Sequence, residues 1–119
     1  MPPSDRIRLQ HMLDAAREAL TFCAGQDPSM IRQNRVVTLA LVKCIEIIGE
    51  AASKVSEEMR GNAPLIPWSG IIGMRNRLIH GYFDIDWNLV FETVTVDLPP
   101  LIKDLEAVLA RADKPAEPQ

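Results

Sequence analysis

Three residues past the middle of the chain have the types and spacing for proton transfer beside a phosphate: Arg75, Asn76 and His80. They lie in the run Arg75-Asn76-Arg77-Leu78-Ile79-His80-Gly81-Tyr82. The apolar residues around them, Trp68, Ile71, Ile72, Leu78 and Ile79, recur at helical spacing and define an inward stripe. Arg75 falls in the middle of that stripe, where a guanidinium faces packed apolar surface. Burying an unpaired charge costs several kcal/mol or more, and a local rule broken in this way often marks a functional position. The alternative is an arginine that snorkels out, or that pairs with a carboxylate from another helix. His80 is expected in the last turn of the same helix, which Gly81 then ends. Asn76 lies four residues earlier on nearly the same face, so its amide can orient the imidazole. Arg75 stands about 140° around an ideal helix from His80, but it is long and the helix is ending, so both can reach one groove. A lone histidine at a helix C-terminus is also an ordinary partner of the helix dipole.

Arginine and histidine together suit one chemistry, the cleavage of RNA by its own 2′-OH. Histidine moves a proton near neutral pH. Arginine stabilises the negatively charged phosphorane through charge-assisted hydrogen bonds. No metal or other cofactor is expected, because there is no His/Cys cluster and no acidic triad. Glu46 and Glu50 resemble a carboxylate pair, but Lys43 and Lys54 stand at ion-pair spacing from them, so a solvated charged face is the better reading. His11, beside Met12, has no partner in the sequence and reads as a structural or surface residue. Arg32, Arg35 and Arg60 are candidates for a basic track, with ordinary surface roles favoured.

These residues need a scaffold, and the apolar spacing supplies a helical one. The first helix starts near Ser4 or Asp5, and its seam is Leu9, Leu13, Ala16, Leu20 and Cys23. It stops at Gly25, and Asp27-Pro28 marks the turn. A second helix is expected from about Ser29 to Arg60, with Val37, Leu41, Cys44, Ile48, Ala51 and Val55 inward. Between Val36 and Ile48 its apolar residues cover more than one face, so it is either central or buried against a second subunit. Gly49 costs such a helix roughly 1 kcal/mol relative to Ala, which a close helix crossing would explain. The third helix is short, from Pro67-Trp68 to His80. The fourth starts at Asp86 and runs through Trp87, Phe91, Val94, Leu98, Leu101, Leu105 and Val108, either as one element with a kink at Pro99-Pro100 or as two helices nearly in line. No segment alternates as a sustained strand would. The expectation is an all-α, up-and-down four-helix bundle with a short third helix and a kinked fourth.

The chain of 119 residues is read as one domain, 1–119, ordered from about 5 to 110, with frayed tails at Met1 to Ser4 and Lys114 to Gln119. Its net charge of −3 argues against an undirected nucleic-acid coat protein. A local basic site on an acidic body remains compatible with it. Cys23 and Cys44 lie on apolar seams, as reduced core thiols do. With no leader-like apolar stretch and no run approaching the roughly 18–20 residues that span a bilayer, a cytoplasmic protein is expected.

Arg75, His80 and Tyr82 form the Arg-x4-His-x-Tyr signature, and here the chain resembles the HepT-like toxins of the HEPN superfamily. Other stretches agree: Glu46-Ile47-Ile48-Gly49-Glu50-Ala51-Ala52, Ile66-Pro67-Trp68, Met74-Arg75-Asn76, and Asp97-Leu98-Pro99-Pro100-Leu101. The resemblance runs from about Asp5 to Leu109. It implies the HEPN bundle, and a homodimer with Arg75 and His80 of both subunits facing one another across the interface. It implies metal-independent endoribonuclease action on cellular RNA, mRNA or tRNA, as the toxin of a type VII toxin–antitoxin system. The implied partner is an MntA-like nucleotidyltransferase antitoxin that transfers AMP from ATP onto Tyr82. The competing reading is a non-catalytic helical dimer that binds such a nucleotidyltransferase, with Arg75 holding a nucleotide or a structural carboxylate.

Overall fold

Helix α1 (Pro3–Cys23) begins two residues from the chain start, with proline in its first turn, where a missing N–H costs nothing. The N-terminal stretch expected to fray is therefore partly helical. Gly25, at φ +71°, turns the chain after α1, and the Asp27 carboxylate caps α2 (Pro28–Gln33) by accepting from the Met30 N–H. A computed structural model of the chain describes residues 1–81 and 84–113.

The single second helix expected from Ser29 to Arg60 is three helices: α2, α3 (Arg35–Lys54) and α4 (Glu57–Gly61). Asn34 makes the first break. Its backbone is extended and its side chain accepts from the Val37 N–H, an exchange of helix for cap that asparagine favours. Val55 is extended at the second break, and Ser56 caps α4 by accepting from the Met59 N–H at 3.2 Å. Arg60 closes the gap. Its guanidinium donates to the carbonyls of Val55 and Ser53 at 3.0 and 2.8 Å, satisfying the end of α3. Arg60 thus has a structural role and leaves the basic track.

α5 (Trp68–Leu78) is followed by a small antiparallel hairpin, β1 (Ile79–Gly81) and β2 (Asp84–Ile85). Asp86 caps α6 (Trp87–Glu92) as expected, accepting from the Leu89 N–H. A π-helical turn, Thr93–Asp97, then joins α6 to α7 (Leu98–Asp113). The irregularity expected at Pro99-Pro100 therefore lies one turn earlier, and both prolines fall inside the first turn of α7, where a missing N–H is tolerated.

α1 packs mainly on α3 and α7, and α3 packs on α5 as well. The buried side chains form one cluster. Leu9, Met12, Leu13 and Ala16 come from α1, and Leu41, Cys44, Ile45 and Ile48 from α3. Leu98, Leu101, Leu105 and Val108 come from α7. Each large aliphatic side chain buried this way contributes roughly 1.5–3 kcal/mol. The result is the all-α bundle, and no helix among the described residues is long and apolar enough to cross a membrane.

Asp5 is only 3 % exposed. Rather than capping its own helix, it clasps another. Its carboxylate accepts from the Ser56 N–H at 2.9 Å and from the Ser56 hydroxyl at 2.7 Å. Asp5→Ala would strand those donors and is expected to cost about 1–3 kcal/mol in urea unfolding. Asp5→Asn, which keeps an acceptor, should lose less, and an alanine variant as stable as the parent would contradict the clasp.

Cys23 and Cys44 are free and buried. Burial, with smaller contributions from Glu18 and Cys23, pushes the Cys44 thiol from 9.0 up to about 11. Between those values the folded chain holds more protons than the unfolded one, so stability falls as pH rises through that window. The urea midpoint should drop between pH 9 and 11, and Cys44→Ala should remove much of the drop. An equal pH dependence in both proteins would argue that the thiol is not shielded.

Candidate functional site

The inward stripe of α5 is Ile71, Met74 and Leu78, at steps of three and four. Met74 fills the core position, and Arg75 stands one residue, about 100°, around from it. The expectation that Arg75 faces packed apolar surface is therefore corrected. The guanidinium reaches the rim between α5 and α3, where its Nε lies 3.9 Å from Glu46 Oε1, with the two side chains 49 % and 38 % exposed. This is the snorkelling, carboxylate-facing geometry that stood as the alternative.

The helix ends at Leu78, earlier than expected. Ile79 is extended, at φ −123° and ψ 101°, and pairs with Ile85, while the Asp86 N–H donates to the Leu78 carbonyl. A β-branched residue gains from this pairing what it would lose in χ1 freedom by prolonging the helix. His80 is consequently exposed on β1 rather than in a helical turn. Gly81 has no positive φ and is a strand residue, not a helix stop. The Asn76 amide does not orient the imidazole. Its Oδ1 accepts from Arg75 Nη1 at a long 3.5 Å. Tyr82 lies outside the described residues.

Arg75 and Asn76 do meet other groups. A cleft of about 590 Å³ opens between α1, α3 and α5, and its walls include Arg8, His11, Lys43, Glu46, Arg75 and Asn76. α3 provides the floor, α1 contributes Arg8 and His11, and α5 contributes Arg75 and Asn76. His80 does not line it. The spacing along α1 gives no sign of this neighbourhood, in which His11, read from the sequence as a structural or surface residue, and Arg8 face side chains of two other helices. Lys43 was expected to pair with Glu46. Glu46 turns to Arg75 instead, whereas Glu50 and Lys54 form the expected ion pair at 3.1 Å.

The hairpin lies beside a second surface, where Ile85 and Trp87 meet Arg32, Arg35, Leu39 and Val42. Val36 and Leu39 are 77 % and 54 % exposed. The apolar residues beyond one face of this helix are thus uncovered within the chain. Among the described residues, no three His, Cys, Asp or Glu side chains gather as a metal site requires.

The Arg75–Glu46 contact is long and wet, and such pairs are worth about 0–1 kcal/mol. Glu46→Gln should therefore shift the unfolding free energy by less than about 1 kcal/mol. A loss of about 3 kcal/mol or more, the signature of a broken buried pair, would make Arg75 a structural residue.

The family model described as Ribonuclease HepT-like matches residues 12–108. A provisionally named RNase of Methanocaldococcus jannaschii, MJ1380, is 34 % identical over 100 residues, covering 84 % of this chain and 92 % of that protein. A provisionally named RNase of Caldanaerobacter subterraneus, TTE0752, is 32 % identical over 106 residues, or 89 % and 95 % of the two chains. A ribonuclease HepT of Thermococcus cleftensis, also named provisionally, is 39 % identical over 62 residues, covering 52 % of this chain and 56 % of that one. No solved structure matches the chain. With a match across most of its length and relatives of nearly equal extent, the chain belongs to the HepT-like ribonuclease family.

Proposed function

We propose that the protein is a metal-independent endoribonuclease and the toxin of a toxin–antitoxin pair, with Arg75 and His80 as its catalytic residues. The observation that carries this reading is that both groups are presented rather than consumed. Arg75 is half exposed on a loose contact, and His80 is exposed on strand β1 with no hydrogen bond from its imidazole among the described residues. Membership of a ribonuclease family supports RNA as the substrate.

In this reading the 2′-hydroxyl attacks the adjacent phosphorus and the P–O5′ bond breaks, leaving a 2′,3′-cyclic phosphate and a 5′-hydroxyl. One proton leaves the 2′-oxygen and one reaches the 5′-oxygen. His80 carries proton transfer, and Arg75 offsets the charge that grows on the non-bridging oxygens. Asn76, hydrogen-bonded to Arg75, positions the guanidinium rather than the imidazole.

Within one chain Arg75 opens on the α1–α3–α5 cleft while His80 sits on the hairpin. A homodimer that brings Arg75 of one subunit towards His80 of the other resolves this separation. The uncovered Val36 and Leu39 on α3, the latter sharing a surface with Ile85 of the hairpin, are suited to such an isologous contact. Regulation follows from the motif tyrosine. A nucleotidyltransferase antitoxin moves AMP from ATP to the Tyr82 oxygen and releases pyrophosphate. The added anion then repels RNA phosphate from the site.

The Arg75–Glu46 contact favours a second reading, in which Arg75 holds a structural carboxylate and the chain is a non-catalytic dimer that binds a nucleotidyltransferase. Cleavage of a labelled RNA separates the two. In the catalytic reading, His80→Ala lowers kcat by roughly 10²–10⁴-fold, and Arg75→Ala lowers it by a comparable factor. Cleavage unchanged in both variants sinks the assignment. Co-expression with a neighbouring nucleotidyltransferase should add one AMP to the wild-type mass and none to Tyr82→Phe. Equal modification of both would place the acceptor elsewhere.

A further inference from the structure

The cleft between α1, α3 and α5 holds more cationic groups than the catalytic proposal uses. Arg8, Lys43 and Arg75 come to it from three different helices, and His11 lies on the same wall as Arg8. Arg8, Lys43 and His11 have no ion pair or side-chain hydrogen bond among the described residues. Two carboxylates share the cleft, but Glu50 is engaged by Lys54 at 3.1 Å, and Glu46 faces Arg75 only at 3.9 Å. A chain of net charge −3 thus keeps a local excess of free cations in one concave place. Like charges gathered in this way repel one another beyond what Glu46 and Glu50 offset, and an anion entering the cleft would relieve that repulsion.

We infer that this cleft is a phosphate-binding subsite for the RNA strand, in which Arg8, Lys43 and His11 hold backbone phosphates next to the one that Arg75 serves. The inference rests on the ribonuclease reading for its choice of ligand. Arg8 and His11 are three apart on α1 and so project from one side of that helix, spaced to meet one segment of backbone. Lys43 and Glu46 stand three apart on α3 and line the floor between the two walls. Ile47 and Ile72 add apolar surface on which a sugar or base can rest. RNA entering the cleft trades the long Arg75–Glu46 contact for a charge-assisted, bidentate contact to phosphate. Glu46 is then a placeholder that keeps the guanidinium near the cleft until an anion arrives. The contacts are to backbone, so they position RNA without selecting its sequence.

A fluorescein-labelled, 2′-O-methylated single-stranded RNA of about 20 nucleotides tests this, because it binds but cannot be cut. Arg8 is half-buried and Lys43 exposed, so Arg8→Gln and Lys43→Gln should leave the thermal midpoint unchanged. The double variant should bind the probe about ten- to a hundredfold more weakly. Its slope of log affinity against log salt should be shallower by roughly 0.7 per lost contact. With unmethylated RNA the same variant should raise KM and leave kcat unchanged. His11→Gln should weaken binding less. If wild type and double variant share the same affinity, salt slope and KM, the subsite is overturned while the ribonuclease reading stands. If wild type binds the probe through these residues yet cuts no RNA, the subsite stands and the ribonuclease reading falls. A wild-type protein that does not bind the probe overturns the subsite.

Discussion

Where α3 passes α5, Gly49 is buried, and the carbonyls of Ile71 and Ile72 lie 3.6 Å from where its Cβ would be. An alanine would meet them at ordinary van der Waals distance, so there is little room for more than a methyl group. That closeness determines what the rest of the site is made of. Arg75 follows Ile71 by one helical turn, and Glu46 precedes Gly49 by nearly one, so the crossing brings the two side chains together over the same gap. With α5 held low against α3, the space above becomes a cleft with α1 as its far wall. Gly49 thus marks the point where α5 comes near α3, and a methyl group would still fit there at ordinary contact distance.

The seams were legible because they depend on local spacing alone. Leu9, Leu13, Ala16 and Cys23 are buried on α1, and Leu41, Cys44, Ile48, Ala51 and Val55 on or next to α3, as the repeat required. The breaks were not legible in the same way. Asn34 and Val55 fit a helical repeat, and only the capping by Asn34 and Ser56 and the clasp from Asp5 reveal why the chain leaves the helix there. Those contacts depend on a side chain some fifty positions away or on a choice between two local hydrogen-bond patterns. Leu78-Ile79-His80 misled for a related reason. Its apolar spacing suits a helix, yet Ile79 pairs with Ile85 of β2 and leaves it.

The same distinction applies to the site. The motif residues were identifiable as types, but their surroundings were not. Asn76 was assigned to His80 by helical spacing, and the helix ends before that spacing can act. Arg75 shares the spacing of the apolar stripe, but Met74 beside it takes the core position. Arg8, His11 and Lys43 were unremarkable one at a time. Their meaning comes from convergence, which is a property of how α1, α3 and α5 pack.

The π turn at Thr93–Asp97 has an effect far from its own position. The buried line through it reads Val90, Val94, Leu98, Leu101 and Leu105, two successive steps of four before the usual alternation resumes. An ordinary α-helix would let such a line drift sideways, whereas a wider turn absorbs the surplus and keeps it straight. Removing one residue there would restore regular winding and rotate α6 by about 100° against α7. Strand β2 runs directly into α6, so the hairpin that carries His80 would swing with it. The bearing of the imidazole is in this sense indexed by a single surplus residue on a helix that never touches the cleft.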